Sequence, residues 1–139
     1  NLGRGQAQEV VAGQLPVATI DEVKNFDGVL IDTREANRYA GRKERLDLKA
    51  GHIPGAVSVP TREILNPDNT FRPAEEIRAT FEKVGVTDPN NVIVYSGSGV
   101  HSAQAIAAMH HAGLPGAALY LGGWSQWCAD RNNPVERSD

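Results

Sequence analysis

Apolar and polar positions fall in short blocks whose period switches between that of a buried strand and that of an amphipathic helix. Val29-Leu30-Ile31-Asp32, Val92-Ile93-Val94-Tyr95 and Ala117-Ala118-Leu119-Tyr120-Leu121 are apolar runs of strand length. Such runs suit parallel strands covered on both faces. Val57-Ser58-Val59 is a further candidate strand, and Val10-Val11 could begin a short one. Thr19-Ile20-Asp21-Glu22 has the spacing of a capping box and predicts a helix over 20–25, before the turn at Asp27-Gly28. Residues 35–40 read as a short helix, followed by a charged loop through Gly51. Thr61 is a candidate cap for a short helix ending before the turn Asn66-Pro67-Asp68-Asn69. The clearest helix covers 73–84, with Pro73 in its first turn, Ala74, Ile77, Phe81 and Val84 as its apolar stripe, and Gly85 as its C-terminal cap. A small-residue run from Ser102 to Met109 predicts a helix closing at His111-Ala112-Gly113, and Gly122-Gly123 turns into a last helix around 124–127.

Repeated strand–helix alternation predicts an α/β three-layer sandwich, a mostly parallel sheet with helices on both faces. Ligands in such sheets bind beyond the carboxyl ends of the strands, where Asp32 and Ser96 are expected. The expected partition is a linker-like segment over 1–9 and one domain over 10–139. The polar, glycine-containing start, with Asn1 in first place, reads as a piece trimmed from something longer.

Composition narrows the function. Of 139 residues, 40% are hydrophobic and 22% charged, enough for one core without disulfide staples. A net charge of −3 offers no basic face for nucleic acid. No run reaches the length of a membrane span, so no membrane partner is expected. Arg38, Arg42, Lys43 and Arg45, interrupted by Glu44, form a local basic cluster. Its size suits a small anion, or it is a solvated turn. Cys128 is the single cysteine, which excludes an internal disulfide and points to a reducing, cytoplasmic setting.

Chemistry concentrates in Ser96-Gly97-Ser98-Gly99-Val100-His101, a glycine-rich turn between a strand and a helix. Free backbone N–H groups and the positive end of the helix dipole converge there, so the turn suits an anion or a charged nucleophile. It lacks the ending of a P-loop and the spacing of a dinucleotide fingerprint. A serine-hydrolase elbow would need glycine two places before Ser98, where Ser96 stands. His52 or His101 with Asp32 could otherwise have supplied a base and its orienter.

Four ordered motifs carry a family resemblance. Asp32-Thr33-Arg34-Glu35, Gly51-His52-Ile53-Pro54-Gly55-Ala56, Tyr95-Ser96-Gly97-Ser98-Gly99-Val100 and Gly122-Gly123-Trp124-Ser125-Gln126-Trp127 occur in the order and spacing of a rhodanese domain, spanning 17–135. The chain resembles the catalytic half of two-domain sulfurtransferases, and its loop is similar to the Cys-Gly-Ser-Gly-Val-Thr form of 3-mercaptopyruvate enzymes more than to the basic loops of thiosulfate enzymes. The resemblance implies a persulfide formed at position 96, a small anionic sulfur donor, and a thiol such as thioredoxin, or cyanide, as acceptor. It implies no metal or organic cofactor, and a second rhodanese domain outside this chain. Asn37-Arg38-Tyr39 resembles the element whose arginine faces the substrate, and Arg45, seven residues before His52, falls where a second substrate arginine is carried. Forked guanidinium groups suit a keto-acid carboxylate. Gly97, Ser98, Gly99, Val100 and His101 complete the implied binding loop.

Position 96 departs from that pattern. A cysteine there would have its thiolate favoured by the cradle and would take up sulfur. Serine keeps its proton and holds no persulfide, so the expectation is an inactive domain. A replaced cysteine is the preferred origin, since Gly97 to Val100 stay as the family has them; a naturally non-catalytic binding or regulatory module is the alternative. His101, where the family usually has threonine, caps the helix or bonds the loop. His52 reads as structural, Asp32 as a brace for Arg34 or the loops, and His110-His111 as a helix end rather than a metal pair. Trp124 and Trp127 read as core and rim packing, with Trp124 near the site mouth, and Cys128 as an inert apolar residue. A phosphatase reading is weak, because Ser96 and Ser102 stand where its cysteine and arginine are required.

Overall fold

The computed structural model describes residues 16–40, 51–97, 100–130 and 132–136. Val10-Val11, the linker-like start, the basic cluster beyond Arg38, and Ser98 and Gly99 lie outside the described residues.

Among the described residues four short strands form the sheet: β1 (Val29–Asp32), β2 (Val57–Ser58), β3 (Val92–Tyr95) and β4 (Ala118–Leu119). Their order is β2-β1-β3-β4 and every pairing is parallel. Among the described residues five helices connect and cover them: α1 (Ile20–Lys24), α2 (Ala36–Ala40), α3 (Ala74–Lys83), α4 (Val100–His111) and α5 (Gly123–Ala129). The expected α/β sandwich is the observed one.

The period of two along the strands divides the core. Ile31, Val92 and Val94 face one cluster, with Ile77 and Phe81 of α3 and Ile106 and Met109 of α4. Leu30, Ile93 and Tyr95 face the other, with Val23 of α1 and Trp124, Trp127 and Cys128 of α5. Strands buried on both sides read as unbroken apolar runs for this reason.

Local signals account for the helix ends. Thr19 and Glu22 make both bonds of the capping box, the Glu22 N–H donating to Thr19 Oγ1 at 3.2 Å and the Thr19 N–H to Glu22 Oε1 at 2.9 Å. Gly85 closes α3 with φ +100°. Two expectations shift by a residue. Pro73 is itself the N-cap of α3, with ψ 143°, rather than part of its first turn. Thr61 opens a 3-10 turn, Thr61–Glu63, capped by extended Pro60 with no side-chain bond. In both, the proline's fixed φ suits the extended residue just ahead of the turn. β4 is also shorter than the five-residue run suggested, because the pairing covers two residues before the chain bends at Leu121.

Candidate functional site

Register sets the site. Asp32 pairs with Ser58 on one side and Tyr95 on the other, so β1, β2 and β3 end level with one another. Ser96 and Thr33 are the next residues out, at the carboxyl edge. The Thr33 N–H donates to the Tyr95 carbonyl at 3.0 Å and its hydroxyl to the same oxygen at 3.1 Å, fastening the two exits.

Ser96 is fully buried. Its carbonyl accepts the Trp124 N–H at 2.8 Å, and the Gly97 carbonyl accepts the Ser125 N–H at 3.3 Å. The start of α5 therefore lies directly against the turn. Gly123 makes that approach possible: its φ is +58°, and a Cβ there would meet the Ser96 carbonyl oxygen at 2.3 Å. The Ser96 hydroxyl donates to the Ser102 hydroxyl at 3.3 Å, and Ser102 is also fully buried. Both ends of the phosphatase spacing thus come together as two alcohols.

Asp32 braces Arg34, as expected. The Arg34 backbone N–H and guanidinium donate to both carboxylate oxygens, the ion pair closing at 2.8 Å with both side chains buried. Arg34 also donates to the Gly51 carbonyl, and its Cζ sits 4.6 Å from the Trp124 ring centroid, a cation–π contact. Trp124 therefore lies beneath the turn, fully buried, rather than at its mouth, and Trp127 is core rather than rim. Gly97 leaves an added Cβ 4.0 Å from Arg34 Cδ.

His52 is structural. Its Nδ1 lies 2.7 Å from the Tyr39 carbonyl and its Nε2 3.4 Å from Glu136 Oε1, and its ring stacks on Tyr39 at 3.8 Å. Glu136 exchanges both backbone bonds with His52 and accepts the Gly55 N–H, tying the chain's far end to the 51–56 loop. Tyr39 and Tyr95 both brace that loop: the Tyr39 hydroxyl donates to the Ala56 carbonyl, and the Tyr95 oxygen accepts the Ile53 N–H. Burial and then the Asp32 charge push both phenols up, Tyr95 well above the ordinary value.

Arg38 is half-buried on α2, which follows the end of β1. Val100 opens α4. His101 is exposed, its Nδ1 3.3 Å from Gln104 Oε1 on its own helix. With Thr33, Glu35, Pro60, Thr61 and Arg62 it lines a cavity of about 250 Å³ at this edge of the sheet. Cys128 is buried, its thiol 3.7 Å from the Ser125 carbonyl, an unreactive setting. Among the described residues no cluster of histidine, cysteine and acidic side chains suits a metal ion, and no helix is long and apolar enough to cross a membrane. Sequence reasoning placed Ser96 and Asp32 at strand ends and named Ser102 and Gly123, but not the contact of either with residue 96. The six-residue spacing from Ser96 and the doubled glycine were the only local signals for them.

Residues 17–130 match the family described as rhodanese-like domain. The chain is a member of that family. This rhodanese-like domain is homologous to thiosulfate and 3-mercaptopyruvate sulfurtransferases. It is 37% identical over 109 residues to the 3-mercaptopyruvate sulfurtransferase of Escherichia coli K12, covering 77% of this chain and 38% of that protein. It is 36% identical over 111 residues to the thiosulfate sulfurtransferase of Bos taurus, covering 76% of this chain and 36% of that protein. Among solved structures, the anaerobic ergothioneine biosynthesis enzyme of Chlorobium limicola, in complex with trimethyl histidine, superposes with a TM-score of 0.78. That match has 28% identity and covers 88% of this chain and 32% of the other. The rhodanese-like domain spans less than half the length of each of these proteins.

Proposed function

We propose that this rhodanese-like domain is built to carry sulfur as a persulfide on residue 96, and that with serine there it holds the donor without turning it over. The observation that carries the reading is the placement of residue 96. It sits buried at the exit of a central strand, at the foot of a twelve-residue helix, its carbonyl fastened by the N–H of Trp124. A cysteine in that place has its thiolate favoured by the helix dipole and backbone donors. The thiolate attacks the outer sulfur of thiosulfate, the sulfur–sulfur bond breaks and sulfite leaves. With 3-mercaptopyruvate the carbon–sulfur bond breaks instead, and pyruvate leaves after taking a proton. An alcohol keeps its proton at neutral pH and completes neither step.

In this reading Gly97, Ser98, Gly99 and Val100 supply backbone donors, Arg38 and Arg45 take the donor's carboxylate or sulfonate oxygens, and His101 stands at the rim. The acceptor is a thiol such as thioredoxin, or cyanide, and a thiol acceptor places the domain in the reducing cytoplasm. A second rhodanese domain completes the cleft. The relatives' names support donors of this class. A solved complex of the similar enzyme EanB, described with a cysteine persulfide and ergothioneine, supports persulfide chemistry on this fold. The unchanged glycines around Ser96 support a replaced cysteine.

The test is the Ser96→Cys chain mixed with thiosulfate or 3-mercaptopyruvate. The expected result is a mass gain of one sulfur atom with release of sulfite or pyruvate, and none with Ser96 present. If the cysteine form gains no sulfur from either donor, alone or with the E. coli relative's other half added, the sulfurtransferase reading falls. A donor bound but unchanged would then assign the domain to binding.

A further inference from the structure

The first turn of α4 brings a second buried hydroxyl to residue 96. Ser102 is fully buried, as are Ala105, Ile106, Ala108 and Met109 on the same helix, all of them apolar. Serine inside a helix is neutral to unfavourable, and a buried hydroxyl is retained where it has a partner. Here one partner is Ser96, hydroxyl to hydroxyl at 3.3 Å. That spacing exceeds the range of about 2.5–3.0 Å for an O–H···O bond. It leaves room for a larger atom on a longer bond to Cβ.

We propose that Ser102 is a positioning residue for the reacting atom at position 96, donating its hydroxyl hydrogen to a sulfur held there. The inference rests on the reading of residue 96 as the sulfur-carrying position. A thiolate accepts hydrogen bonds and cannot donate, so Ser102 is the donor once position 96 is cysteine. The bond strengthens on ionisation, because a charged acceptor makes a hydrogen bond roughly twice as strong as a neutral one. It also fixes the direction of the sulfur, since Ser102 rides on the helix and residue 96 on the strand end. Among the described residues, the charged and titratable groups on the elements around position 96 are Asp32 at the end of β1, Arg34 and Glu35 after it, Arg38 and Tyr39 on α2, Tyr95 on β3, His101, His110 and His111 on α4 and Cys128 on α5. A change at Ser102 leaves all of them in place.

The experiment is the pH profile of iodoacetamide alkylation at residue 96, read by peptide mass so that Cys128 is counted separately. It compares Ser96→Cys alone with the same chain carrying Ser102→Ala or Ser102→Thr. Loss of the donor is expected to move the alkylation midpoint upward by about one pH unit, and Thr, which keeps the hydroxyl, returns it. If the alanine form does not fold, Ser102→Val, which has the shape of Thr without the hydroxyl, replaces it with the same expected rise. A midpoint unmoved by Ala, or moved equally by Ala and Thr, overturns the proposal. Sulfur uptake from thiosulfate is measured on the same proteins. A shifted midpoint without uptake leaves Ser102 standing and removes the transfer reading; uptake with an unmoved midpoint does the reverse.

Discussion

Replacing Gly123 by alanine separates backbone strain from a direct clash against the candidate site. Gly123 has φ +58°, and an added Cβ lands 2.3 Å from the Ser96 carbonyl oxygen and 3.1 Å from that of Gly97. Gly85 provides the control, with φ +100° and nothing within 4 Å of its added Cβ. Left-handed backbone costs a residue with a Cβ about 1–2 kcal/mol at either position. The lower backbone entropy of the unfolded alanine chain offsets about 0.4–1 kcal/mol in both. Only at Gly123 must a carbonyl withdraw, stretching the 2.8 Å bond from Trp124 to Ser96 in a buried place. Leaving that pair unmade adds about 1–3 kcal/mol. Gly123→Ala should therefore fall below Gly85→Ala by roughly 2 kcal/mol in urea unfolding, or about 4–8 °C in melting temperature for a domain of this size. Equal losses in the two variants would refute the close approach of α5 to the Ser96 turn.

The buried Asp32–Arg34 pair predicts a second asymmetry. Asp32→Ala, which leaves the guanidinium without its carboxylate, should cost about 3–5 kcal/mol in urea unfolding. Pairing it with Arg34→Met should recover part of that loss; a double variant as unstable as the sum of the singles would contradict the pairing. All three tyrosines are pushed upward, Tyr120 to about 12, first by burial and then by the Cys128 charge. Folding therefore favours the neutral phenols. Their contribution is intact below the unfolded value near pH 10 and is lost as pH rises through the folded values. Ultraviolet titration should show little phenolate at pH 10 in the folded chain and half-ionised tyrosine in urea. Equal phenolate in both would count against the burial of Tyr39, Tyr95 and Tyr120.

Much of this protein was legible one segment at a time. Apolar runs of strand length and the capping box at Thr19 depend on neighbours within a few residues, so their elements follow from the chain itself. The same locality placed Ser96 at a strand-to-helix turn. The two proline-led starts, at Pro60 and Pro73, were read one residue off because capping is decided by the extended residue ahead of the turn. What the chain alone did not contain are contacts between segments distant in sequence. The hydrogen bond of Trp124 to Ser96, the clamp of Glu136 on His52, and the hold of Gly51 and Trp124 on Arg34 each join separate elements. Even Ser102, six residues from Ser96, meets it only because a helix begins between them. Local pattern determines which segments become strands and helices; strand order, register and the layers packed on the sheet determine which side chains meet. The turn at Ser96 was written in the sequence, and its partners were chosen by the fold.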